Sequence, residues 1–112
     1  MQYVGTRCPE NAQGFTGQDL KVTEWAFKDG GDLTLTVRNQ GGGNDINITD
    51  VELGGTSARP NQEITYGSDS TFTVNITHGL SRGECYSEAI NITYNIGEIT
   101  GKKISGTLNG KY

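Results

Sequence analysis

The sequence predicts an all-β protein, a seven-stranded antiparallel β-sandwich of immunoglobulin type. Apolar residues alternate with polar ones over several short stretches, as they do on a half-buried strand. Turn signals recur about every 8 to 12 residues, and no long window carries a helical period. The chain is 112 residues long, enough for one core and too short for two. Leu, Ile, Val and Phe together number 23, so the core is lean and calls for two packed layers of short strands.

The segment from residue 1 to residue 19 is polar and interrupted by Pro9, Gly14 and Gly17. It reads as an extended lead-in to a single domain over 20–112. In the first strand, Lys21 to Lys28, Trp25 and Phe27 share one face and Leu20 and Val22 the other, which requires a bulge near Thr23 or Glu24. The aromatics then turn toward the core. Asp29-Gly30-Gly31-Asp32 signals a hairpin, after which Leu33, Leu35 and Val37 alternate cleanly with Thr34, Thr36 and Arg38. Gly41-Gly42-Gly43-Asn44 is a loop. Beyond it Ile46 and Ile48 oppose Val51 and Leu53 in phase, and a bulge around Asp50 reconciles them.

Gly54 to Asn61, which contains Pro60, reads as a turn region, and Gln62 to Tyr66 as a short strand. Gly67-Ser68-Asp69 leads into a strand that places Phe72, Val74 and Ile76 on one face. After a loop from His78 to Gly83, Glu84 to Asn95 is the longest strand, with Ile90, Ile92 and Tyr94 inward. Gly97 to Gly101 turns the chain into the seventh strand, Lys103 to Asn109, where Ile104 and Leu108 face the core across Gly106.

Three tripeptides stand out: Asn47-Ile48-Thr49, Asn75-Ile76-Thr77 and Asn91-Ile92-Thr93. Each lies in an alternating stretch, so an inward Ile forces its Asn and Thr outward. Each also satisfies Asn-x-Ser/Thr without proline, the acceptor pattern for N-linked glycan in a secreted protein, which makes Asn47, Asn75 and Asn91 candidate glycosylation sites. The plainer explanation is that Thr forms strands well and that short motifs recur by chance.

Cys8 and Cys85 are the only cysteines, with no C-x-x-C and no Cys/His cluster to suggest a metal. They are either two buried thiols or one disulfide. We favour the disulfide, which implies an oxidising compartment and, by closing so long a loop, contributes about 4 kcal/mol in the chain-entropy account. A net charge of -4 with no basic stripe argues against a nucleic-acid partner. No apolar run is long enough to span a membrane. An extracellular reading therefore expects a membrane anchor upstream of Met1, with this chain as the ectodomain.

Catalytic motifs carry little weight. Gly79-Leu80-Ser81-Arg82-Gly83 matches G-x-S-x-G, but a strand follows it where a helix is needed, and the sole histidine, His78, precedes Ser81. His78 has no clustered partner. The Gly41–Gly43 run lacks the Lys-Ser/Thr of a phosphate loop. Asp29 with Asp32, or Asn44 with Asp45, is explained by turn chemistry before calcium. Glu24, Glu52, Glu63 and Glu88 single out no acid pair, and Trp25 reads as a core residue. The expectation is a non-enzymatic protein with no cofactor.

The run Asp32-Leu33-Thr34-Leu35-Thr36-Val37-Arg38-Asn39, the glycines after it, and Ile46-Asn47-Ile48-Thr49-Asp50-Val51-Glu52-Leu53 resemble the globular domain of archaeal type IV pilin-like surface proteins. The ending, from Ile90-Asn91-Ile92-Thr93-Tyr94 to Ser105-Gly106-Thr107-Leu108-Asn109-Gly110-Lys111, is similar to the closing strands of that group. The likeness covers roughly Asp19 to Lys111, and its strand-and-turn patterns are shared with adhesion modules and with archaellin and archaellum stator domains. The hydrophobic N-terminal helix of pilin-like proteins is missing from this sequence. The resemblance implies an extracellular structural or adhesion module whose protein partners are subunits of a surface filament or cell-envelope layer. The alternatives are a carbohydrate- or protein-binding accessory sandwich, for which Tyr66, Tyr86 and Tyr112 are the candidate aromatic platform, and an archaellum stator-like domain.

Overall fold

The structure is a computed structural model that describes residues 10–15, 19–28, 32–76 and 83–111. Among them are nine strands and no helix: β1 (Asn11–Gln13), β2 (Leu20–Lys28), β3 (Asp32–Asn39), β4 (Ile46–Leu53), β5 (Thr56–Ala58), β6 (Gln62–Ile64), β7 (Asp69–Asn75), β8 (Cys85–Ile96) and β9 (Ile99–Lys111). They form two antiparallel sheets. The larger runs β1-β9-β8-β4-β5, with β6 also on β4, and the smaller runs β2-β3-β7.

Nine strands replace the seven expected, for identifiable reasons. Asn11–Gln13, inside the presumed lead-in, pairs with Thr107–Asn109 of β9. Thr56–Ala58, inside the presumed turn region, folds back on Val51–Leu53 because Gly54 and Gly55 both adopt positive φ, a conformation open to glycine. β5 and β6 lie along the same edge of β4, separated by Arg59-Pro60-Asn61. A proline has no N–H to give to a ladder, and Asn61 takes φ 47°, so pairing stops there and resumes at Gln62.

Both expected bulges are present. The β2–β3 register shifts between Val22 and Glu24, and the β4–β8 register between Ile48 and Asp50. The second explains how Ile46, Ile48 and Val51 are all fully buried despite opposite phases: two residues, Thr49 and Asp50, occupy the outward position that one would fill in a regular strand.

The inward residues of both sheets form one apolar cluster. Leu33, Leu35 and Val37 from the small sheet meet Ile46, Ile48, Ile90, Ile92 and Leu108 from the large one, all at 0% exposure. Burying one such aliphatic side chain contributes about 1.5–3 kcal/mol. Trp25 and Phe27 are half-buried at the rim. The Trp25 indole N–H donates to Tyr86 Oη at 2.8 Å, and Phe27 meets the Tyr86 ring edge-on with centroids 4.8 Å apart. Burial raises the Tyr86 pKa above its ordinary value.

Two polar knots tie the sheets and loops together. Asn39, 1% exposed, continues the inward phase of β3. Its Nδ2 donates to Asn44 O at 2.8 Å and Ile64 O at 2.9 Å, and its Oδ1 accepts from the Gly41 N–H at 2.8 Å. Immediately before β2, Asp19 Oδ2 accepts from Lys102 Nζ at 2.7 Å and from Tyr94 Oη at 2.8 Å, joining the small sheet to β8 and β9. The Lys102 hydrogen bond, then the Tyr94 one, hold the Asp19 pKa below the usual carboxylate value. Burial, reinforced by the bond to Asp19, pushes the Tyr94 pKa up.

Candidate functional site

Among the described residues, the outward face of the large sheet carries a patterned polar surface. Its residues fall into rows that cross the strands. Glu52, Asn91 and Ser105 form one row, and Asp50, Thr93 and Lys103 the next. Asn91 sits at the centre with both ends of its amide engaged: Nδ2 donates to Glu52 Oε1 at 2.9 Å, and Oδ1 accepts from Ser105 Oγ at 2.5 Å. The bulge at Thr49–Asp50 faces the break at Arg59-Pro60-Asn61, and across it Arg59 Nε lies 3.3 Å from Asp50 Oδ1. The result is a shallow depression of about 240 Å³ lined by Asp50, Glu52, Ser57, Arg59, Asn91, Thr93 and Lys103. Two carboxylates and two cations balance within it, and its walls offer hydrogen bonds without an aromatic surface.

A second depression, of about 180 Å³, lies on the outward face of the small sheet against Glu24, Trp25, Ala26, Thr34, Thr36 and Thr71. This face is ruled by side-chain rungs between β3 and β7. Asn75 Nδ2 donates to Asp32 Oδ1 at 3.2 Å, Thr34 and Thr73 hydroxyls lie 2.9 Å apart, Thr36 and Thr71 hydroxyls 2.8 Å apart, and Arg38 Nη1 donates to Asp69 Oδ1 at 3.3 Å. Four consecutive rungs hold β7 onto β3.

The three tripeptides take the orientation that alternation requires. Ile48, Ile76 and Ile92 are each fully buried. Asn47 is half-exposed on β4 between Asn95 and Glu63, Asn75 is exposed at the end of β7, and Asn91 is half-buried in its row. Asn47 and Asn91 therefore lie on one broad face and Asn75 on the opposite one. Thr49 Oγ1 donates to Thr93 O at 3.2 Å, and Thr77 lies outside the described residues.

The remaining candidates are dispersed. Cys85 is exposed at the start of β8, opposite Lys111, whereas Cys8 lies outside the described residues. So do Asp29, His78, Gly79 to Arg82 and Tyr112. Asp45 Oδ1 accepts the Tyr66 backbone N–H at 3.1 Å, a turn contact. Glu24 is on the small sheet's outer face and Glu52 and Glu63 on the large sheet's. Glu52 is opposite Ser57 and Glu63 opposite Asn47, five residues apart along β4 or roughly 17 Å. Glu88, on β8 opposite Leu108, is half-buried. Tyr86 corrects the aromatic-platform expectation: it is 9% exposed and packed with Trp25 and Phe27, while Tyr66, 51% exposed, lies beside Asp45 toward the other end of the sheets.

Sequence reasoning missed the Asn39 knot and the Asp19–Tyr94–Lys102 clip. Asn39 did leave a signal, a polar residue at the inward phase set by Leu33, Leu35 and Val37. Asp19 left none, because its partners are distant in sequence. No protein family, curated protein or solved structure matches the chain.

Proposed function

We propose that this chain is a non-enzymatic structural module of a cell surface, an immunoglobulin-like sandwich forming the globular ectodomain of an archaeal pilin-like, membrane-anchored protein. The observation that carries the reading is the placement of the three Asn-Ile-Thr tripeptides: each Ile is buried and each Asn stands on an outward face. The sequence resemblance to pilin-like globular domains supports it. So does the elongated form, with principal extents of 59 × 24 × 19 Å, which suits a rigid spacer. In this role the outward faces carry glycan and the edge strands make lateral contacts with protein partners. A Cys8–Cys85 disulfide belongs to the same reading, since both features call for an oxidising compartment.

The test is peptide mass spectrometry of the protein purified from its native source, with alkylation before and after reduction. Glycan is expected first at Asn75, whose side chain is exposed, and least at Asn91, whose amide is held at both ends. Cys8 and Cys85 should alkylate only after reduction. Bare Asn47, Asn75 and Asn91 together with two thiols that alkylate directly would remove the extracellular reading.

A further inference from the structure

We propose that two copies of this chain pair through the edge of β7, antiparallel about a two-fold axis at Phe72, to make one continuous six-stranded sheet. The inference deepens the lateral-contact part of the surface-module reading and rests on it, and it names the partner, the edge and the register.

The phase of the ladder comes first. The Asn39 N–H donates to Ser68 O at 3.0 Å, and the β3–β7 register continues from there through Arg38–Asp69, Val37–Ser70, Thr36–Thr71 and Leu35–Phe72 to Asp32–Asn75. In an antiparallel pair, hydrogen-bonded and non-hydrogen-bonded positions alternate. Ser70, Phe72 and Val74 therefore bond to β3, while Asp69, Thr71, Thr73 and Asn75 direct their N–H and C=O groups away from it. The hydroxyl contacts at Thr34–Thr73 and Thr36–Thr71 agree, because side chains approach most closely at non-hydrogen-bonded pairs. Among the described residues, β7 pairs with β3 alone.

That free set of backbone groups is symmetric about Phe72. A second β7 laid antiparallel with Phe72 opposite its own copy sets Asp69 against Asn75 and Thr71 against Thr73, and each of these four residues donates and accepts one bond. The central outward pairing, Thr with Thr, repeats one the sheet already makes, and at each end Asn75 pairs through its backbone N–H and C=O, which leaves its exposed side chain on the outward face available to glycan. No like charges meet. Shifting the centre to Thr71 or Thr73 keeps the hydrogen-bond phase but leaves residues at one end of each strand unpaired. Phe72 and Val74, at 8% and 3% exposure, lie on the core side and extend the apolar layer toward the two-fold axis.

The other edge of the small sheet is built differently. β2 bears Lys21 and Lys28 and is bulged at Val22–Glu24, devices that discourage edge pairing. β7 has no lysine, proline or register shift. A seven-residue strand pair is small beside a standard interface of roughly 1,200 Å² or more, which places the contact among weak, concentration-dependent associations.

The test uses unmodified recombinant full chain in sedimentation and residue-resolved amide exchange over a concentration series. A monomer–dimer equilibrium is expected, with the amides of Asp69, Thr71, Thr73 and Asn75 gaining at least about tenfold protection as concentration rises. Thr73→Pro removes an N–H that points to the partner and none that bonds β3, so it should abolish the dimer while circular dichroism stays native. If that variant fails to fold, the double variant Thr71→Lys, Thr73→Lys puts lysines opposite one another across the axis and should give the same loss. A protein that stays monomeric throughout, or a dimer that survives these variants with those four amides unprotected, overturns the proposal. Either result leaves the glycan and thiol measurements, which test the surface reading itself, unaffected.

Discussion

Replacing Asn39 should be among the most damaging single changes in this protein. Its side chain bonds three backbone groups, two in the loop after β3 and one at the end of β6, and two of these bonds, to Ile64 O and from Gly41 N, are buried. Asn39→Ala strands both partners, and an unsatisfied buried group costs about 1–3 kcal/mol. The Asn44 carbonyl is nearer solvent and recovers water, so it adds less. The expected loss is about 3–5 kcal/mol, a large share of a stability of about 5–15 kcal/mol for a domain of this kind. Urea denaturation followed by circular dichroism should show the midpoint falling with the slope unchanged. Asn39→Asp sharpens the argument. One carboxylate oxygen still accepts from Gly41, but the other faces two carbonyls and cannot donate. Burial and those carbonyls raise the folded-state pKa of this aspartate, so the unfolded chain ionises first. The variant is therefore most destabilised at neutral pH, and its deficit shrinks as pH falls through the raised folded pKa toward the unfolded one. A loss under about 1 kcal/mol for Asn39→Ala, or an Asn39→Asp deficit that does not change with pH, would refute the account.

Three further outcomes are expected. Gly110→Ala puts a Cβ 2.6 Å from Tyr86 Oη and 2.9 Å from its Cζ, so it should cost about 1–3 kcal/mol; because Trp25 is the only tryptophan and bonds that hydroxyl, its fluorescence should shift with the lesion. Asp19→Asn should lose stability at neutral pH, since the folded pKa of Asp19 is depressed and its contribution is present above the unfolded carboxylate pKa. That contribution disappears as pH falls through the folded value, so melting curves of the two proteins should converge in acid. Ile92→Ala should cost about 2–5 kcal/mol by leaving a core cavity, whereas Asn91→Ala, one position away on the outer face, should cost about 1 kcal/mol; equal losses in a chemical denaturation series would contradict the assignment of faces.

Alternation made most of the fold legible. Leu33 to Val37 and Phe72 to Ile76 need no more than period two, and conflicting phases at Val22/Glu24 and Ile48/Asp50 locate both bulges in the sequence itself. The short strands were hidden for a physical reason. Asn11–Gln13 and Thr56–Ala58 are three residues each, too brief for a period, and they form because a longer neighbour offers a free edge. Surface chemistry divided in the same way. The outward stance of Asn47, Asn75 and Asn91 follows from their own neighbours, whereas the depression around Asp50, Asn91 and Lys103 draws on three long strands and the Pro60 break, which no local window contains. Tyr86 went astray because an isolated tyrosine says nothing about the Trp25 and Gly110 that enclose it.

The pairing of β1 with β9 fixes how the molecule responds to a pull. Asn11 lies beside Asn109 and Gln13 beside Thr107, so the chain enters and leaves these strands side by side at one pole. With Cys8 and Cys85 reduced, tension applied at Asn11 and Asn109 acts across the strands, and their three paired positions part in succession, as in peeling, with no need to break all at once. The turn at Gly97–Glu98, which packs against Asn44, joins β8 and β9 at their other end, so that line of force does not run through it.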